Sequence, residues 1–161
     1  MNDRMINFYI SIAESCSKMS RAVRLQVGCV IVKNNNIISF SWNGTPTGWD
    51  NTCEDIEITF DERETYYSPD WKFDEKEKKY YRLKTKPEVL HAESNAISKL
   101  ARSSESGLDS DMFITHSPCI DCAKLIFQAG VRRVFYSEDY RSRAGVEFLE
   151  KSGVTVEKIT R

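Results

Sequence analysis

The apolar positions of the first 19 residues recur with the period of a helix. Ile6, Tyr9, Ile10 and Ala13 lie three or four residues apart and therefore share one helical face. Two short runs rich in β-branched residues follow, "QVGCVIV" and "IISFSW", separated by "KNNN". Asparagine tolerates the left-handed backbone of a tight turn, so this part predicts a β-hairpin. The Gly/Pro/Asn segment "NGTPTGWDN" then predicts a loop.

The pattern loses its regularity between residues 54 and 88. This stretch is charged and aromatic, has no clean period and contains no apolar core of its own. We interpret it as an insertion, part helical, within one domain that spans residues 1–161, and not as a second domain.

Regular alternation returns with "HAESNAISKLA", which predicts a helix. "MFITHS", "VRRVFYS" and "VTVEKI" predict strands, and "CIDCAKLIFQAG" and "GVEFLEKSG" predict helices that end at Gly130 and Gly153. A helix joins each of these strands to the next, so the three strands should run parallel. The predicted fold is therefore α/β, a three-layer α/β/α sandwich with a five-stranded mixed sheet.

Length and charge narrow the class of protein. A chain of 161 residues is long enough to bury a core without disulfide bonds. Its 23 basic and 24 acidic residues give a net charge of −1, which argues against a nucleic-acid polymer as ligand. No apolar stretch is long enough to span a membrane, so we expect a cytoplasmic protein. The five cysteines are an odd number, which favours metal binding or free thiols.

Three residues have the chemistry and spacing of a metal site. His91, Cys119 and Cys122 supply one nitrogen and two sulfur ligands, which leaves the fourth position of a tetrahedral zinc ion open for water. The C-x-x-C spacing suits two thiolates at the first turn of a helix, and Pro118 suits a helix start. The positive end of that helix lowers the pKa of both thiols. The sequence therefore predicts a catalytic zinc ion.

Glu93 follows His91 by two residues, so it is not expected to bind the metal from the same face. We predict that it lies beside the water at the open position and moves protons. H-x-E followed by P-C-x-x-C is the signature of zinc nucleobase deaminases.

Other polar residues have both a functional and an ordinary interpretation. The Asn43 amide suits either a turn or a bond to a sugar hydroxyl, with equal weight. Arg21 and Arg24 are candidates for a phosphate, although exposed arginines are usually only solvated. Tyr140 either packs on a base or covers the sheet edge. His116 is better explained as a strand side chain with a hydrogen-bond partner than as a metal ligand.

The chain resembles the deoxycytidylate deaminases of phages and bacteria, which have the cytidine deaminase-like fold. The matching stretches are "VGCVIVKNNNIISFSWNGTPTG", "HAESNAI", "SPCIDCAKLIFQAGVRRVFYSEDY" and "GVTV". The resemblance implies hydrolysis of dCMP to dUMP and ammonia, which supplies thymidylate synthesis. It also implies zinc on His91, Cys119 and Cys122, proton transfer by Glu93 and substrate binding by Asn43.

The resemblance further implies regulation and assembly. Members of the family are typically homo-oligomers, often hexamers, activated by dCTP and inhibited by dTTP with Mg²⁺. If the chain comes from a phage, its location would be the host cytoplasm. The regulatory nucleotide is expected at a subunit contact near the hairpin and the following loop. The candidate residues there are Lys33, Gly44, Thr45, Gly48 and Asn51.

The chain departs from the family pattern at two places. Ser41-Trp42 stands where the family usually has Gly-Tyr. Some phage relatives bind a second, structural zinc through two cysteines, a histidine and a glutamate. Cys16 and Cys53 resemble the cysteine half of that site, but no histidine precedes His91, which argues against a second zinc.

Three other functions are compatible with part of this sequence pattern. A tRNA adenosine deaminase shares the zinc motif but has a shorter join before it, and a basic surplus is missing here. A free-cytidine deaminase presents its ligands differently and lacks the helix between the last two strands. A non-catalytic nucleotide sensor would use zinc structurally and would have no need for Glu93.

Overall fold

The computed structural model describes residues 1–160. Its helices are α1 Asp3–Ser17, α2 Ala92–Leu100, α3 Ile120–Gln128 and α4 Ala144–Lys151. Its strands are β1 Gly28–Lys33, β2 Asn36–Trp42, β3 Glu54–Thr59, β4 Lys72–Asp74, β5 Lys79–Thr85, β6 Asp111–His116, β7 Arg133–Glu138 and β8 Thr155–Lys158.

Five strands form the central sheet in the order β2-β1-β6-β7-β8. β1 is antiparallel to both of its neighbours, whereas β6, β7 and β8 run parallel. The predicted mixed sheet is thus confirmed, with its parallel part where helices join successive strands. Asn34 and Asn35 form the turn of the β1–β2 hairpin with φ of 51° and 62°, the backbone that two-residue hairpins require.

Helices cover both faces of this sheet. α1 packs on one face, where Tyr9 contacts Phe113 and Phe113 stacks on Phe135 with ring centroids 5.0 Å apart. α2, α3 and α4 lie on the other face and bury Ala96, Ile126 and their neighbours. The three-layer α/β/α prediction is confirmed. None of the helices in residues 1–160 is both long and apolar enough to cross a membrane.

The segment interpreted as a partly helical insertion is mainly a second sheet. β3, β5 and β4 pair antiparallel in that order, and only Glu62–Thr65 forms a helical turn, of the 3-10 type. The apolar side chains of β3 are not buried, since Ile56 and Ile58 are 65% and 49% exposed. Ile56 and Ile58 alternate with polar neighbours as in a strand, but the structure leaves this apolar side exposed and does not pack it on a core.

Gly28 sets the distance between α1 and the central sheet. A Cβ at this position would lie 1.9 Å from the Ala13 carbonyl oxygen and 2.5 Å from the Ser17 nitrogen. Both atoms belong to the backbone of one helix, so neither can move without shifting α1. The absence of a side chain at Gly28 therefore allows the layer of α1 to form.

We predict that Gly28→Ala lowers the free energy of unfolding by about 3 kcal/mol or more, because α1 must shift away from the sheet. Gly44→Ala is the matched control, since a Cβ there meets no atom within 4 Å. Urea unfolding of the two variants measures the difference. An unchanged midpoint for Gly28→Ala would contradict the close contact of α1 with β1.

Candidate active site

Two helix starts meet at the predicted metal site. His91 is the N-cap residue of α2 and Cys119 is the N-cap residue of α3, while Cys122 lies in the first turn of α3. Pro118 directly precedes the N-cap Cys119 and thus lies at the helix start, as predicted. Neither N-cap side chain bonds to its own helix. Both side chains are therefore available to a shared ligand.

The geometry of the three side chains fits tetrahedral zinc. His91 Nδ1 lies 3.4 Å from Cys122 Sγ and 3.5 Å from Cys119 Sγ, and the three ligand atoms are all within 4.8 Å of one another. Zinc held by nitrogen at about 2.0 Å and by sulfur at about 2.3 Å separates these atoms by about 3.5 Å in a tetrahedron. The set of one imidazole and two thiols is also one that zinc prefers.

The two cysteines are electrostatically coupled. A hydrogen bond from the Cys122 thiol lowers the pKa of Cys119 to about 4, and the same bond raises the pKa of Cys122. Hydrogen bonding between the two sulfurs thus shifts their pKa values in opposite directions. As ligands of a divalent cation, Cys119 and Cys122 would both be thiolates.

Glu93 is buried next to these ligands, with only 5% of its surface exposed. Burial raises the pKa of its carboxyl, and the nearby His91 opposes the shift. It follows His91 in the first turn of α2 and lines the same cleft. This is the position expected of a group that exchanges protons with a ligand in the cleft.

Neighbouring elements hold the two helix starts in place. The hydroxyl of buried Ser41 donates a hydrogen bond to the Ala92 carbonyl. The Ser39 hydroxyl donates one to the Ala96 carbonyl at 2.8 Å. Ser41 thus ties β2 to the turn that carries His91 and Glu93, which a glycine would not do. On the other side, Gly145 of α4 lies so close to Pro118 that a Cβ would come within 2.0 Å of its carbonyl oxygen.

A cleft of about 930 Å³ opens above the metal ligands. Its floor includes His91, Glu93 and Cys119, and the three predicted substrate residues, Asn43, Arg24 and Tyr140, line its walls. Six cationic side chains line the cleft against four carboxylates. The cations are Arg24, Lys72, Arg82, Lys84, Lys86 and Arg141, and the carboxylates are Glu54, Asp70, Glu93 and Asp139.

Asn43 supports the wall of the cleft through both ends of its amide. Its Oδ1 accepts the Val27 N–H at 2.8 Å, and its Nδ2 donates to the Leu25 carbonyl at 2.8 Å. The residue is buried, and one amide hydrogen and one lone pair remain available to a ligand. The structural role is therefore present, and the role in substrate binding remains a prediction.

Arg24 is held between the two sheets. It donates to Thr85 Oγ1 at 3.2 Å and to Asp70 Oδ2 at 3.2 Å. Asp70 also lies 3.8 Å from the guanidinium of Arg141, which stacks on the Tyr140 ring at 5.3 Å. Two arginines thus face one partly exposed carboxylate at the same side of the cleft.

The small sheet supplies a cleft wall that the sequence did not indicate. Glu54 of β3 accepts the backbone N–H groups of Val23 and Arg24 at 2.9 and 3.1 Å. Thr85 of β5 holds the Arg24 side chain. No local motif marks these residues, because their role depends on contacts between segments about thirty or more positions apart.

The predicted regulatory residues lie in two separate places within one chain. Lys33 ends β1 and pairs with Asn36, whereas Gly44 follows β2 at the other end of the hairpin and pairs with Leu90. Five strand residues separate the two ends by about 17 Å. Thr45 donates to the Asp50 carbonyl, and Gly48 has a φ of 91°. Lys33 and the loop that begins at Gly44 therefore lie at opposite ends of the hairpin.

Comparisons with known proteins agree with this geometry. Residues 4–138 match the family model for the cytidine and deoxycytidylate deaminase zinc-binding region. The chain belongs to the cytidine and deoxycytidylate deaminase family.

Several members of this family are similar over nearly the whole chain. The crystal structure of dCMP deaminase from cyanophage S-TIM5 in complex with dCMP and dUMP is 40% identical, covers 99% of each chain and has a TM-score of 0.80. The deoxycytidylate deaminase of Enterobacteria phage T4 is 33% identical over 91% of this chain and 86% of its own. ComE operon protein 2 of Bacillus subtilis is 29% identical over 87% of this chain. The match covers only 63% of the length of that relative.

His91, Cys119 and Cys122 are the only group of three possible metal ligands that residues 1–160 bring together. Cys16 belongs to α1 and packs in the core between this helix and the sheet. Cys53 lies in a separate cluster with Ala22 and Val89. The two cysteines that resemble half of a second zinc site therefore do not meet in the fold.

For this deaminase family member we predict about one zinc ion per chain, measured by elemental analysis of the purified protein. Cys122→Ser should lose most of the metal, because one of three protein ligands is weakened. Cys53→Ala is the matched control and should keep it. Zinc retained by Cys122→Ser would show that the ion binds elsewhere.

Proposed function

We propose that the protein hydrolyses dCMP to dUMP and ammonia. The convergence of His91, Cys119 and Cys122 beside buried Glu93, at the floor of a cleft with a cationic wall, is the main support. The similar cyanophage protein was crystallised with dCMP and dUMP, which are the substrate and the product of this reaction. Residues of this chain that match the family signature have the chemistry that the reaction needs.

A zinc ion bound by His91, Cys119 and Cys122 would activate water for attack on C4 of cytosine. Glu93 takes one proton from that water and delivers it to the ring nitrogen N3, then takes the second proton from the hydroxyl formed on C4 and delivers it to the departing amino group. The raised pKa of its carboxyl favours this exchange, because the group can hold a proton between the two steps. The C4–N bond breaks, a C4–O bond remains, and ammonia leaves.

The cationic wall suits the 5′-phosphate of a nucleotide. Arg24 and Arg141 both contact the partly exposed Asp70 carboxylate, and a phosphate would replace Asp70 as the partner of these two guanidinium groups. Tyr140, next to Arg141, remains a candidate for contact with the nucleotide, as does the free part of the Asn43 amide. A monophosphate therefore fits this cleft better than a nucleoside.

A tRNA substrate is the second candidate among zinc deaminases. The net charge of −1 over the chain gives no extended basic surface for a polymer, although the cleft itself is locally cationic. A purely structural zinc in a nucleotide sensor would leave buried Glu93 without a role.

The regulatory and assembly properties of the family are further proposals for this chain. They comprise activation by dCTP, inhibition by dTTP with Mg²⁺, and a homo-hexamer in the cytoplasm. Because Lys33 lies at the opposite end of the hairpin from the loop of Gly44, Thr45, Gly48 and Asn51, we place the nucleotide between chains, where one chain supplies Lys33 and its neighbour supplies the loop.

The loss of cytosine absorbance with dCMP, cytidine and dCTP as separate substrates tests the proposal. We expect rapid turnover of dCMP, and parallel reactions with added dCTP or dTTP and Mg²⁺ report on regulation. Glu93→Gln should lower dCMP turnover at least about 100-fold while the zinc content stays unchanged, because proton transfer is lost. Glu147→Gln, an exposed change on α4, is the control. Activity that survives in Glu93→Gln would exclude the assigned mechanism.

A substitution of Arg24 tests the phosphate wall. Arg24→Gln should raise the KM for dCMP about 10-fold or more, because a charge-assisted bond to the phosphate is lost. The turnover of deoxycytidine, which has no phosphate, should change little. Arg21→Gln is the matched control, since Arg21 is exposed and does not line the cleft. Equal effects on dCMP and deoxycytidine would contradict a phosphate contact.

A further inference from the structure

His116 is the second of only two histidines in the chain, and the metal site does not use it. It ends β6, and its half-buried ring lines the same cleft as His91, Glu93 and Cys119. The sequence favoured an ordinary strand side chain with a hydrogen-bond partner. The structure shows that partner and also places the ring at the site.

The partner of His116 determines which ring nitrogen carries the proton. Thr115 Oγ1 lies 3.1 Å from His116 Nδ1 and accepts the backbone N–H of Gly28 at 3.2 Å. Thr115 is buried, and its hydroxyl has no other acceptor within residues 1–160. The hydroxyl proton therefore points to Nδ1, which must accept it with its lone pair.

Since Nδ1 is an acceptor, the neutral ring carries its proton on Nε2. Nε2 has no hydrogen-bond partner within residues 1–160, and the ring lines the cleft. Burial lowers the pKa of His116, with Glu138 opposing the shift, so the ring is uncharged at neutral pH. The result is a neutral N–H donor with a fixed tautomer in the cleft.

Three polar groups of the cleft already have tasks in the proposed reaction, and Asn43 is a further candidate for a sugar hydroxyl. Glu93 serves N3 and the amino group, and Arg24 and Arg141 serve the phosphate. Among the strong acceptors of a pyrimidine nucleotide, the uncharged oxygens of the base and of the sugar are left. A neutral donor suits such an oxygen, because it adds no positive charge beside the metal ligands.

We propose that His116 donates its Nε2–H to an uncharged oxygen of the bound nucleotide, either the 2-carbonyl of the base or the 3′-hydroxyl of the sugar. The proposal depends on dCMP as the substrate. His116 then orients the nucleotide and takes no part in proton transfer. The hydrogen-bonded chain that begins at Gly28 sets the tautomer for this contact.

Kinetics of three variants test the contact. His116→Leu should raise the KM for dCMP about 3- to 10-fold, the value of one neutral hydrogen bond, and leave kcat nearly unchanged. His116→Gln should restore the wild-type KM, because its amide offers an N–H near the position of Nε2. Thr115→Val should fall between these two, since the tautomer is no longer fixed, and Thr155→Val on the exposed start of β8 is its control.

The 2′,3′-dideoxy analogue of dCMP identifies the oxygen. If the KM penalty of His116→Leu persists with this analogue, the acceptor is the 2-carbonyl, and if it disappears, the acceptor is the 3′-hydroxyl. A His116→Leu enzyme with wild-type KM for dCMP, wild-type zinc content and wild-type melting temperature would overturn the proposal.

Nitrogen NMR of the zinc-loaded Glu93→Gln protein gives a readout that does not depend on activity. With two histidines the imidazole signals are assigned by comparison with His116→Gln. We expect a neutral ring protonated on Nε2 and a shift of that nitrogen when dCMP is added. A ring protonated on Nδ1, or an Nε2 signal that dCMP does not move, would contradict the assignment. A wild-type enzyme that fails to deaminate dCMP would refute the proposed function itself, which separates the two failures.

Discussion

The close approach of two helix N-termini is the constraint on which the site depends. His91 and Cys119 are the N-cap residues of α2 and α3. Their side chains meet only because the two helices pack side by side on the same face of the central sheet. The apolar stripes of the two helices fix that packing through fully buried Ala96 and Ile126. A small displacement of either helix would separate the nitrogen from the sulfurs by more than zinc tolerates.

The small sheet contributes to the site in a different way. It has no core of its own, and it is attached to the main body partly by polar contacts, among which Glu54 binds the backbone of residues 23 and 24 and Thr85 binds Arg24. Such contacts place charges with less rigidity than buried apolar packing. The metal ligands and Glu93 lie on the tightly packed central body. The small sheet, which is held by polar contacts, contributes most of the cationic groups that suit a phosphate.

Much of the fold and of the metal site could be predicted from local pattern. The helices, the hairpin and the parallel strands follow from periodicity and from turn residues such as Asn34 and Asn35, whose chemistry acts within a few positions. The spacing within His91-x-Glu93 and within Cys119-x-x-Cys122 is local, since each pair lies at the start of one helix. The strands of the small sheet were missed although Ile56 and Ile58 alternate with polar neighbours, because this short pattern lies in a charged and aromatic segment whose exposed side chains do not pack on a core.

The sequence alone determined the kind of chemistry, since ligand type and spacing are local properties of the chain. Only the tertiary structure decided that Asn43 supports a loop, that Arg24 and Arg141 face one carboxylate, and that Lys33 lies far from the loop after β2. It also decided that the backbone N–H of Gly28 binds the Thr115 hydroxyl beside His116. These facts depend on which distant segments the packing brings together, and no spacing along the chain encodes a contact of that kind.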